Sequence, residues 1–169
     1  GKDGEKQLAI SKTATIIDKV KYEGLTVGEK YTLKGTLMDK ASGKALLVNG
    51  KAVTAETTFT PEKADGSVEV TFTFDASALA GKQVVVFERL YIGDAEIAAH
   101  ADIEDKGQTV SFTEPKIRTS ASGKDGEKQI AISRTATIID KVKYEGLTVG
   151  EKYTLKGILM DKATGKALL

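Results

Sequence analysis

The 169-residue chain is 40% apolar and 29% charged, with 25 basic side chains against 24 acidic ones and a net charge of +1. That is a globular balance with its charges interleaved, which argues against nucleic-acid or membrane-surface binding. No apolar run is long enough to span a bilayer and no signal peptide is present. Cysteine is absent, which excludes disulfides, zinc–thiolate sites and thiol nucleophiles.

In chain order the predicted elements are all strands. "TATIIDKVKY" (13–22), "KYTLKGTLM" (30–38) and "AVTAETTFT" (52–60) are rich in β-branched and aromatic residues. "SVEVTFTF" (67–74) alternates Val68, Val70, Phe72 and Phe74 with polar neighbours, the pattern of a half-buried strand. "DASALAG" (75–81) predicts a short helical turn. "KQVVVFERLYI" (82–92) is nearly continuous in apolar residues from Val84 to Phe87 and predicts a buried strand. Turn signals separate these runs: "YEGLTVGEK", "ASGK", "VNGK", "PEKADGS", "IGDAE" and "EDKGQ". The expectation is all-β, an Ig-like β-sandwich of short strands.

The chain also repeats itself. Residues 1–47 recur at 123–169, an offset of 122 residues, with only Leu8/Ile130, Lys12/Arg134, Thr36/Ile158 and Ser42/Thr164 differing. A period of this size is a domain, so tandem repeat domains are expected. Pro115 fits a linker, and "KIRTSAS" after it fits the first strand of the next domain. The expected units are 1–113, without its own first strand, and 114–169, an incomplete start of the next. Near-identical neighbours suit a repetitive stalk better than an enzyme.

The one polar constellation is "HADIEDKGQTV" (100–110), which holds the only histidine, His100, with Asp105 and Gln108, and Glu88 on the strand before it. One histidine among carboxylates without a ligand motif is a weak metal site. No G-x-S-x-G stretch supports a hydrolase. On composition alone, a solvated charged turn with a histidine at its edge stands beside these readings.

These residues carry a resemblance. "VVVFERLY" resembles the Val-Ala/Val-Phe-Glu signature of the VaFE-repeat surface proteins of Gram-positive bacteria. "HADIEDKGQTV" is similar to the His-x-Asp-x-x-Asp-x-x-Gln-Thr ending of the same repeat. "IRTSAS", "TIIDKVKYEGLTVGEKYTLKGTLMDKASGK" and "FTPEKADGSVEVTFTFDASALAGK" resemble its remainder, so the match covers essentially the whole unit.

The resemblance implies a Thr–Gln ester-bond domain with a B-type pilin-like sandwich, from a cell-wall-anchored adhesin on the bacterial surface. It implies that Gln108, on the last strand, is the acyl partner of its unit and that Thr119, on the first strand of the next unit, is that unit's hydroxyl donor. It places Glu88, His100 and Asp105 around the bond, with Asp18 and its copy Asp140 as further acids. No cofactor or metal is implied, and each domain would react once and not turn over. A tie of this kind stabilises as a long-loop disulfide does, by roughly 4–5 kcal/mol for a loop of about 100 residues.

The expected partners are neighbouring repeat domains; two outcomes stay open for Thr119 and Gln108, joining across two copies of the chain or bonds left incomplete in this stretch, and the host ligand is open as well. Two other readings remain. One is a Lys–Asn/Asp isopeptide pilin domain, for which the only asparagine, Asn49, sits in a turn-like stretch. The other is a ligand-binding adhesin module, which the sequence supplies with no tryptophan and no EF-hand loop.

Overall fold

The computed structural model describes residue 1 and residues 4–168. Among the described residues there are thirteen strands and no helix, hence none long and apolar enough to cross a membrane. The strands are β1 (Gln7–Leu8), β2 (Ala14–Tyr22), β3 (Tyr31–Asp39), β4 (Lys44–Ala45), β5 (Leu47–Val48), β6 (Lys51–Ala52) and β7 (Thr54–Phe59). They continue with β8 (Gly66–Phe74), β9 (Gln83–Ile92), β10 (Ala95–His100), β11 (Thr109–Phe112), β12 (Lys116–Gly123) and β13 (Ile138–Glu145).

β9 is the axis of a seven-stranded sheet. β3 covers one edge of it from Val84 to Tyr91, and β7 and β4 extend the sheet beyond β3. The other edge is shared: β11 pairs with Gln83–Val85 and β10 with Glu88–Ile92. The β10–β11 loop, residues 101–108, therefore leaves and rejoins the sheet beside Val86, whose N–H donates to the Gln108 carbonyl at 3.1 Å. β1 closes the sheet by pairing parallel to β11.

β2 and β8 form a separate antiparallel pair, in register from Ala14↔Phe74 to Tyr22↔Gly66. Alternation turns every second side chain inward. Ala14 and Ile16 of β2, Val70, Phe72 and Phe74 of β8, and Tyr31, Leu33 and Leu37 of β3 are buried, as are Val84, Val86 and Leu90 of β9, and they close one core between the sheets. Phe74 meets Phe112 of β11 edge-on at 6.2 Å. Gly35 takes the inward position between Leu33 and Leu37. A Cβ there would lie 2.4 Å from Phe72 Cζ and 2.6 Å from Glu88 Oε1, so the glycine makes the room both side chains occupy.

The structure corrects two expectations and adds elements. Residues 75–81 form turns and no helix, because Asp75 Oδ1 accepts from the Ser77 N–H at 2.9 Å and caps the backbone locally. Gln108 does not lie on the last strand; it ends the bend just before β11. β10 lies in a stretch that the turn signal at "IGDAE" and the histidine motif left unassigned. The β5–β6 hairpin turns at Asn49 and Gly50, with φ of 51° and 78°, the pair of positive values a two-residue type I′ turn needs.

Beyond Glu114, β12 and β13 make an antiparallel ribbon from Lys116↔Glu145 to Gly123↔Ile138. Residues 153–161, the copy of β3, are not a strand. β3 is held by β7 and β9 on its two edges, whereas among the described residues the pairing of 153–161 is one isolated bridge, Met160 to Ala167.

Candidate functional site

Two carboxylates stand where alternation would place hydrophobes. Glu88 follows Val84 and Val86 in the inward column of β9, and Asp18 follows Ala14 and Ile16 in that of β2. Glu88 is only 2% exposed, and neither of its carboxyl oxygens has a hydrogen-bond partner; Asp18 Oδ2 is likewise buried and unpartnered. Burial first, and the nearby Asp18 charge second, push the Glu88 carboxyl up to about 8 from its ordinary 4.5. Burial also raises Asp18, while a hydrogen bond from the Gln108 side chain and the charges of Lys6 and His100 pull it back and that of Asp105 adds to the rise. Glu88 is thus held protonated at neutral pH.

The loop delivers the remaining groups. His100, the last residue of β10, is the cross-strand partner of Glu88. Its Nε2 lies 2.7 Å from Asp105 Oδ2, and the Gly107 N–H donates to Asp105 Oδ1 at 2.6 Å. The His100 hydrogen bond, then the Gly107 amide, hold Asp105 below the usual carboxylate range. The Asp105 carbonyl accepts from the Thr109 hydroxyl at 2.7 Å and from the Gln108 N–H at 3.3 Å. These bonds fix the loop so that the half-buried Gln108 side chain faces β2.

A cavity of about 310 Å³ lies there, lined by Lys6, Asp18, Val86, Asp105 and Gln108 among others. A second, apolar groove of about 370 Å³ adjoins it along β2, between Val20–Glu23 and Ile97–His100, with Glu88 in its lining. Asp18, Glu88, His100, Asp105 and Gln108 are therefore brought together. Thr119 and Asp140 are not with them: both are exposed on the β12–β13 ribbon. Asn49 is exposed in its hairpin turn.

Sequence reasoning missed Lys6, whose Nζ donates to the Gly107 carbonyl and whose charge bears on Asp18. Nothing in "GKDGEKQ" distinguishes this lysine from its neighbours. It also missed Gly35, whose signal is a glycine in the inward column of an otherwise regular strand.

The all-β domain thus sets an unpaired buried carboxyl, a second acid and a His–Asp pair around one primary amide. The model of the T-Q ester bond containing domain matches residues 1–112 and 115–168, and the chain belongs to that family. No curated protein matches it. Among solved structures it is similar to a bacterial adhesin from Mobiluncus mulieris containing intramolecular disulfide, isopeptide and ester bond cross-links, seen in two crystal forms. One aligns with a TM-score of 0.56 at 12% identity over 86% of this chain and 74% of that one. The other has the same TM-score at 14% identity, over 83% and 71%. At that identity the likeness is one of fold.

Proposed function

We propose that the chain is a structural stalk repeat of a bacterial surface adhesin, with an Ig-like, B-type pilin-like sandwich as its unit. On this reading it works outside the cell, on the cell wall of a Gram-positive bacterium, among neighbouring repeats of the same protein. An ester between a threonine of the first strand and a glutamine of the last reinforces it, with Gln108 as the glutamine and Thr119 as the threonine of the following unit. The observation that carries this reading is the buried, unpartnered Glu88 carboxyl beside Asp18, whose Oδ2 is unpartnered and whose carboxyl interacts with the Gln108 amide.

The reaction joins Thr119 Oγ to the side-chain carbonyl carbon of Gln108 as that carbon's bond to nitrogen breaks. The hydroxyl proton leaves with the nitrogen, so one ammonia is lost and no oxidant or cofactor is needed. Protonated Glu88 donates to the amide oxygen and polarises the carbonyl. Asp18, the acid closest to Gln108 in its interactions, takes the hydroxyl proton. His100, oriented by Asp105, delivers a proton to the departing nitrogen. Holding amide and hydroxyl on fixed strands supplies the proximity that neither group has in water. Asp140 would serve the second unit as Asp18 serves the first. Each site reacts once, so the protein modifies itself and is not a turnover enzyme.

The test is intact mass under denaturing conditions, with and without mild hydroxylamine. A species lighter by one ammonia per link, cleaved by hydroxylamine and absent from Gln108→Ala, is expected. A mass deficit that resists hydroxylamine would replace the ester with an isopeptide.

A further inference from the structure

The outer edge of β2 is unpaired among the described strands, since its only ladder partner is β8. The copy of β2 is not in that condition. Residues 13–23 and 135–145 are identical in sequence, and in the second stretch β13 carries β12 on its edge along its whole length. The same backbone with the same side chains has the same preference for that partner. We propose that the β2 edge is a docking site for residues 116–123 of a second copy of this chain, in the register that β12 already adopts on β13.

The register makes the proposal specific. Thr119 pairs with Val142, Ala121 with Asp140, Ile117 with Tyr144 and Gly123 with Ile138. Transferred by the repeat offset, Thr119 stands opposite Val20, Ala121 opposite Asp18, Ile117 opposite Tyr22 and Gly123 opposite Ile16. Cross-strand partners point to the same side of a sheet. On β2 that is the inward side, where the groove and the polar cavity lie.

Ile117 then enters the apolar end of the groove, beside Tyr22, Leu25, Phe59 and Ile97. Thr119 arrives at the stretch lined by Val20, Glu88 and His100. Ala121 and Gly123 present almost no bulk to Asp18 and the cavity holding Gln108, which leaves the amide room. Arg118 and Ser120 face out. A strand with its apolar and hydroxyl residues at the other parity would not fit.

The exchange also has a driving force. Both edges offer the same ladder, so the backbone hydrogen bonds cancel. On the ribbon, however, Ile117 is 58% exposed and Tyr144 65% exposed, because no second layer covers that face. At β2 the incoming side chains gain the core beneath the groove. Each copy carries one donor strand and one acceptor edge at different places, so the contact is heterologous and propagates head to tail. This deepens the ester reading and rests on it for the covalent step.

The absence of cysteine allows a direct test of register. Chains carrying Val20→Cys are mixed with chains carrying Thr119→Cys under mild oxidation, and Lys21→Cys replaces Val20→Cys in the control. A disulfide between the first pair and little with the control is expected. Thr119→Ala, which leaves the chain otherwise unchanged, is sized by light scattering across a dilution series and is expected to form reversible oligomers. A strictly monomeric Thr119→Ala chain with no disulfide between Val20→Cys and Thr119→Cys overturns the proposal. Equal disulfide yield with Lys21→Cys overturns the register. Oligomers and the expected disulfide, without ammonia loss in the unsubstituted chain, would uphold docking and refute the ester.

Discussion

Replacing Glu88 with glutamine keeps the shape of the side chain and removes its titration. The folded Glu88 carboxyl titrates at about 8 and its ordinary value is 4.5, so between those values the folded state holds a proton that the unfolded state has lost. Stability then falls as pH rises through that window and levels off above the folded value. Between about pH 5.5 and pH 8 the proton difference averages a little under one, which at about 1.4 kcal/mol per pH unit amounts to about 3 kcal/mol. Asp18, raised by burial, acts with the same sign. The acids with lowered values, Asp39, Asp75, Asp105 and Asp161, finish titrating below this range. The assay is urea unfolding at both ends of the range in the Thr119→Ala chain, where no ester forms, with and without Glu88→Gln. The expected result is a loss of about 3 kcal/mol that Glu88→Gln largely abolishes. Equal losses in the two proteins would show that Glu88 is not held protonated in the core, and would refute the role assigned to it.

Gly35→Ala drives a methyl into Phe72 and Glu88, and urea unfolding should show a loss of about 1–3 kcal/mol together with slower cross-linking. Phe72→Ala, which removes a ring only 1% exposed from the centre of the core, should cost about 3–5 kcal/mol in the same measurement. Asp105→Asn weakens the hold on His100 while leaving the core intact. It should slow ammonia release by mass spectrometry with little change in melting temperature. Asn49→Val puts a β-branched residue at a φ of 51°, and should lower stability by about 1–2 kcal/mol, whereas Asn49→Gly should be nearly neutral.

The long periodic strands were legible because each buries one face. The alternation in "SVEVTFTF" and the apolar run in "KQVVVFERLYI" predict β8 and β9 within a residue or so of their observed ends. Parity alone also places Glu88 in a column of valines and leucine. What parity cannot give is the packing of β2 against β9, and it is this that leaves both Glu88 oxygens and Asp18 Oδ2 without partners. β10 escaped notice because "AEIAAH" has weak strand propensity and a register shift between Glu96 and Ala98 breaks its alternation. The strands β1 and β4–β6 have two residues each, too short for any period. "DASALAG" reads as helical by its alanines, but an Asp75 side chain that caps its own turn competes with a helix. That Thr119 stands apart from Gln108 follows from β12 having found the nearer of two identical edges.

The parallel pairing of β1 with β11 has a consequence for tension along the chain. β1 stands near the start and β11 at the end of the first stretch that matches the family, residues 1–112, side by side and pointing the same way through Gln7↔Ser111 and Leu8↔Phe112. Pulling the two ends apart slides these strands past each other, so the bonds from the Ser111 N–H to the Lys6 carbonyl and from the Thr113 N–H to the Leu8 carbonyl, both 2.8 Å, are strained together. An antiparallel pair at the same place would instead open one bond at a time, like a zip. The clamp is short, two residues on each strand. Because Lys6 also anchors the Gly107 carbonyl, its first slip would be felt at once by the loop that carries Gln108.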